Sequence, residues 1–187
     1  MRNAEFAGFT PAQAGAGYNA SHPFARAYLI AMTTPTAADP PPTWREVLHW
    51  TRAGNPPPPR RVELRPDEWR ARLEPERYAV LREAATERPF SAPMCSRFEP
   101  GRYACAGCGT LLFDADSKYD SGSGWPSFTR PLAPGLVGYH ADDSHGMHRI
   151  EVTCQVCDGH LGHVFPDGPP PTGLRYCINA LALRKIE

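Results

Sequence analysis

Charge of one sign is missing: 20 basic residues balance 20 acidic ones among 187, leaving a formal net charge of zero. A neutral chain has no long-range field to gather nucleic acid or an anionic membrane surface, so neither partner is expected. Long apolar runs are missing too. None approaches the ~20 residues of a membrane helix. The one apolar stretch near the start, residues 27–32, is about half the length of an export-signal core. A cytoplasmic protein without a signal peptide is expected. No glycine-rich phosphate loop is present, so no nucleotide or other organic cofactor is expected. Cysteine is scarce, with six in all. In a cytoplasmic chain that number argues against a disulfide scaffold and for metal or redox chemistry.

What is present changes texture along the chain. Residues 1–42 are rich in Ala, Gly, Pro and Thr without a sustained period. Such a segment buries too little apolar surface to offset its ordering entropy, so disorder is expected, and Met32 is a candidate start. In 43–65, Thr43 caps a short helix carrying Trp44, Val47 and Leu48, and Pro56–59 then form a stiff spacer. The main domain is expected over 66–187. Pro66 and Pro75 suit the first turns of two more helices, one with Trp69 and Leu73, the next with Tyr78, Val80 and Leu81. From Tyr103 short β-prone runs appear at 110–113, 147–154, 161–165 and 174–183, separated by Gly, Asp, Ser and Pro. An antiparallel, mainly β domain with helices in front of it is expected.

Cys105-Ala-Gly-Cys108 and Cys154-Gln-Val-Cys157 are both C-x-x-C, each followed closely by glycine. A tight turn between two cysteines points both sulfurs at one centre, and two such turns supply four thiolates for a structural zinc. A thioredoxin-like redox motif, or two unrelated pairs, is the competing reading. With more than forty residues between the pairs, the sheet must bring them together.

Cys95 and Cys177 are left over. In Arg175-Tyr-Cys177-Ile-Asn179, strand alternation puts Arg175, Cys177 and Asn179 on one face. A thiol between a cation and an amide is oddly placed for a core filler, although an inert buried cysteine is the plainer reading. Trp125 stands on a glycine-rich turn within 121–128, where an indole can wall a pocket. His160 and His163 lie three apart in 159–165, while His140, His145 and His148 read as loop histidines without a role.

Taken in order, residues 86–90, the two cysteine pairs, and residues 121–128, 159–167 and 175–179 resemble the methionine-R-sulfoxide reductase family, over about 67–186. The resemblance implies two antiparallel sheets with short N-terminal helices and one structural zinc on Cys105, Cys108, Cys154 and Cys157. Cys177 matches the nucleophile. Trp125 matches the residue that packs on the sulfoxide's methyl group, with Phe128 and Arg175 as further substrate contacts. His160, His163 and Asn179 match the polar set that places a water and protonates the sulfoxide oxygen, and His163 is the preferred acid. The thiolate calls for positive field, from Arg175 and a nearby imidazolium.

Many members carry a recycling cysteine where this chain has Ser123. Cys95 is then the remaining thiol able to resolve a sulfenic acid on Cys177, and it sits in a small-residue loop. The implied reaction is repair of methionine sulfoxide in oxidised proteins, with thioredoxin as reductant and a monomer as the acting form. A zinc-ribbon nucleic-acid module would share the four cysteines but needs a basic stripe. A zinc hydrolase would need an open metal position, which the histidines with Asp167 would have to supply.

Overall fold

A computed structural model describes residues 40–186. The expected disorder of the first residues, the apolar stretch 27–32 and Met32 lie outside the described residues. Among the described residues three α-helices, α1 (Trp44–Ala53), α2 (Pro66–Arg72) and α3 (Pro75–Glu83), precede nine strands. Thr43 and Glu46 form a reciprocal capping box at the start of α1, and proline opens α2 and α3. No helix among the described residues is long and apolar enough to cross a membrane.

The strands make two antiparallel sheets. The small one has the order β2 (Leu111–Asp114), β1 (Arg102–Cys105), β9 (Leu183–Ile186). The large one runs β3 (Lys118–Tyr119), β4 (Ser127–Phe128), β8 (Arg175–Ile178), β7 (Gly159–Phe165), β6 (Arg149–Cys154), β5 (Val137–Asp142). Between them lies an aromatic core. Phe113 stacks on Phe128 with ring centres 4.4 Å apart, Tyr103 meets Phe128 edge-on, and the Tyr139 and Tyr176 hydroxyls are 2.8 Å apart. Each such ring pair adds about 0.5–1.5 kcal/mol beyond its buried area.

Two expectations about elements need correction. The apolar run 174–183 is not one strand. It is β8, a single 3-10 turn at Ala180–Ala182, and β9, which enters the other sheet. His140 is not on a loop but within β5, its Nε2 3.2 Å from Thr153 Oγ1. Neighbouring glycine and leucine hide the period of β5 from a local reading. The proline-rich stretch expected as a spacer is held along the domain: the Asn55 amide bonds the backbone of Tyr139, and Val62 N–H donates to the Val156 carbonyl.

A buried glutamate joins the helical front to the end of β8. Glu87 N–H donates to Asn179 Oδ1 at 3.0 Å, and the Glu87 carboxylate accepts from the N–H groups of Ala180 and Leu181. Its carbonyl accepts from Trp125 Nε1 at 3.1 Å. Asn179 closes the knot by donating from Nδ2 to the Leu161 carbonyl at 3.0 Å. Removing the carboxylate strands two amide donors, at about 1–3 kcal/mol each when buried. Glu87→Ala should therefore lower the unfolding free energy by roughly 2–4 kcal/mol in urea titration. A loss below about 0.5 kcal/mol, the range of an ordinary surface change, would contradict this.

Candidate active site

Antiparallel pairing lays one row of side chains across the large sheet. The pairs His140–Glu151, Glu151–His163, His163–Cys177, Cys177–Ser127 and Ser127–Tyr119 are each in register. Alternation gives the next row, Ile150, Val164, Tyr176 and Phe128, to the core. Cys177 therefore stands on the face turned away from the aromatic core, between His163 and Ser127. Gly162 in β7 passes so close to the Cys177 carbonyl that a Cβ there would collide with it.

The residues around the thiol have definite partners. Cys177 Sγ lies 3.7 Å from Ser123 Oγ. Arg175, two residues earlier, is held bidentately by Asp167 at 2.8 Å, and its guanidinium lies over the Phe165 ring. Burial pushes the Cys177 thiol up from its ordinary value, opposed by Ser123 and Arg175. The expected net lowering is thus not found in this state, because desolvation outweighs the nearby cation. An open cleft of about 540 Å³ adjoins the thiol's neighbours, lined by Tyr119, Ser123, Asp167 and Arg175 among others.

Trp125 projects from the 121–124 turn, where Gly124 has φ +87° and a Cβ would lie 2.6 Å from Pro89. Phe90 N–H donates to the Gly124 carbonyl, so the 86–90 segment braces this turn. Phe128 does not join Trp125. It is fully buried against Phe113 and Tyr103, so the expected substrate contact is corrected to a core residue. Asn179 is likewise buried, with its amide engaged by Glu87 and Leu161.

His160 and His163 are each paired with a carboxylate. His160 Nδ1 is 2.6 Å from Glu151 Oε1, and its buried Nε2 has no protein partner. His163 Nε2 is 2.7 Å from Asp142 Oδ2, which Arg149 also binds. The His160 bond holds the Glu151 carboxyl below its ordinary range, and Ser144, with His163 and Arg149, does the same for Asp142. Glu151, Asp142 and Tyr119 escaped sequence reasoning. Their relevance comes from cross-strand register, and no local pattern carries it.

Cys95 ends a 3-10 turn, Pro93–Cys95. The carbonyls of Met94 and Arg97 flank it and accept from Lys118 Nζ. Lys118 pairs in register with Phe128, so it belongs to the core-side row, opposite the row of Cys177.

The four remaining cysteines converge. Cys105 and Cys157 sulfurs are 3.7 Å apart, Cys108 and Cys154 sulfurs 3.6 Å, and all four lie within 4.8 Å of one another. Tetrahedral thiolates at a Zn–S distance of ~2.3 Å stand ~3.8 Å apart, so the set fits zinc. Trp69 and Leu81 of the helices pack at Gly107 in the first turn, and Arg60 and Arg82 bind the carbonyls of Cys108 and Cys157.

Burial lowers His163 below the ordinary imidazole value of 6.5 despite Asp142. The ring is neutral at pH 7, so the expected imidazolium is not at this position. As pH falls below 6.5, the unfolded chain takes up a proton that the folded one refuses, and His163 then subtracts stability down to its folded midpoint. A histidine NMR titration should place this midpoint below 6.5. A value above 7 would contradict the burial argument.

The SelR domain family model matches residues 73–187, more than half of the chain. A peptide methionine sulfoxide reductase MsrB of Bradyrhizobium diazoefficiens is 60% identical over 118 residues, 63% of this chain and 85% of its own length. Proteins of the same name from Agrobacterium fabrum and Pseudomonas putida are 58% and 55% identical, over 60% and 66% of this chain and 83% and 95% of their own. The chain belongs to the SelR domain family.

Proposed function

We propose that this protein reduces the R epimer of methionine sulfoxide in oxidised proteins and peptides to methionine, with Cys177 as the attacking thiol. The carrying observation is that Cys177 shares a row with His163, beside the cleft bordered by Ser123 and Arg175. Trp125, hung from the Glu87 carbonyl, offers the wall for the substrate's methyl group.

The reaction balances on one thiol. The Cys177 thiolate forms a bond to the sulfoxide sulfur while the oxygen takes two protons and leaves as water. Water then cleaves the sulfur–sulfur bond, giving methionine and a Cys177 sulfenic acid, with one proton returned. Arg175 supplies positive charge for the thiolate. A neutral His163 whose Nε2 is already engaged by Asp142 is a poor acid, so the acid role moves to His160. The Glu151 carboxylate orients the ring through Nδ1, and the unpartnered Nε2 is left to face the sulfoxide oxygen. Asn179 acts by holding Glu87, and through it Trp125, in place.

Cys95 condenses with the sulfenic acid to a disulfide, releasing water, and thioredoxin reduces the disulfide. The 93–97 turn must first leave Lys118, since that contact holds it on the opposite side of the sheet. The protein acts as a monomer in the cytoplasm. One zinc per chain, held by Cys105, Cys108, Cys154 and Cys157, joins the strand ends that carry them. With all four positions filled by the chain it is structural.

Thioredoxin-coupled turnover of each epimer tests the reading. Wild type should reduce the R epimer and spare the S epimer, and Cys177→Ser should be inactive. Cys95→Ser should still release one methionine per chain but lose recycling. His160→Ala should slow that single turnover by ~10²–10⁴, more than His163→Ala. Equal rates on both epimers would sink the assignment, and full recycling in Cys95→Ser would remove Cys95 from it.

Metal analysis should find one zinc per chain. Structural zinc contributes on the order of 10–16 kcal/mol, so Cys154→Ser should unfold the domain. A well-folded, metal-free variant would contradict a structural role.

A further inference from the structure

Three serines form a chain of hydroxyls that ends on the Cys177 sulfur. Ser127 is fully buried and in register with Cys177, and its Oγ lies 2.7 Å from Ser121 Oγ. Ser121 Oγ is 2.8 Å from Ser123 Oγ, which is 3.7 Å from Cys177 Sγ. Backbone amides add to the chain: Ser123 N–H donates to Ser121 Oγ at 3.3 Å and Trp125 N–H donates to Ser123 Oγ at 3.4 Å.

Counting protons gives the chain a direction. Each hydroxyl has one proton to donate and two lone pairs to accept with. Ser121 donates to Ser123, so the proton shared at 2.7 Å must come from Ser127. The alternative acceptor for Ser127, the Trp125 carbonyl, is farther at 3.3 Å. Ser123 Oγ thus accepts from Ser121 and from the Trp125 amide, and its own proton is free for sulfur. Hydrogen bonds aligned head to tail polarise one another, so the last donor is stronger than an isolated serine.

We propose that Ser123, driven by Ser121 and Ser127, is a positioning hydrogen-bond donor that stabilises the Cys177 thiolate before attack. This deepens the reading of Cys177 as the attacking thiol and rests on it. A thiolate is a stronger acceptor than a thiol, so a donor aimed at sulfur favours the charged form. Ser123 works against burial in the same direction as Arg175. The other groups facing the sulfur are His163 of β7, Tyr119 of β3 and Asp167 of the loop after β7. The negative charge of Asp167 opposes the thiolate, so Arg175 does not act alone and undivided. The serine hydroxyls carry no charge themselves, and the carboxylate of Asp120 just before them accepts from the Gly122 N–H at 2.9 Å.

Alkylation of Cys177 by iodoacetamide tests this on the full-length, zinc-bound, reduced protein. The modified peptide is quantified by mass spectrometry against pH, which reads the thiolate without turnover. Ser123→Ala should slow alkylation at pH 7 about tenfold and raise the midpoint by about one pH unit, the loss of one hydrogen bond to a charged group. Ser121→Ala should move the midpoint the same way by less, and Ser123→Thr should restore it. A Ser123→Ala midpoint equal to wild type would overturn the proposal, whatever happens to the limiting rate. A shift in Ser123→Ala with none in Ser121→Ala would keep the donor and overturn the relay behind it. Turnover surviving in Cys177→Ser would instead sink the attacking-thiol reading, and the alkylation result would stand apart from it.

Discussion

β8 is hydrogen-bonded between β4 and β7, and the register of those two pairings decides what Cys177 can do. His163 and Ser127 flank it on the open face, while Val164 and Phe128 flank Tyr176 on the core face. A slip of one residue would bury the thiol among aromatic rings and expose Tyr176. The core prevents this. Tyr176 is locked by the Tyr139 hydroxyl and by Phe113, and Phe128 is locked by Phe113 and Tyr103. Packing on one side of the sheet therefore sets the chemistry on the other.

Two further ties keep the site assembled. The four-cysteine cluster brings the end of β1, in the small sheet, to the end of β6, in the large one. Glu87 fastens the segment after α3 to the end of β8, and its carbonyl holds the indole of Trp125. Trp125 and the strand that carries Cys177 thus share one buried junction. Around them the polarity is divided: carboxylates sit behind the histidines, and a cation and a hydroxyl chain sit beside the thiol. In the proposed reaction, that arrangement separates the handling of protons from the activation of sulfur.

Much of this was legible beforehand, for identifiable reasons. The capped and proline-started helices, the paired cysteine turns and the alternation that puts Arg175 and Cys177 on one face are local signals, and all appear as expected. What escaped depends on partners distant in the chain. Glu151 and Asp142 matter because β6 and β5 bring them to His160 and His163. Phe128 looked like a pocket residue from its motif, yet a one-residue step from Ser127 in a strand is a change of face. Asn179 follows the alternation of β8 in sequence, but it lies just past the strand, where its amide joins Glu87 to Leu161.

The proposed reaction rests on a single thiol, Cys177, attacking the substrate sulfur and ending as a sulfenic acid. The most direct measurement is a single turnover of an R-methionine-sulfoxide peptide by the Cys95→Ser protein in the presence of dimedone, with mass spectrometry of the products. One methionine peptide per chain with one dimedone adduct, on the Cys177 peptide, is the predicted result. Methionine formed without any adduct on Cys177, or with the adduct on another cysteine, would contradict it.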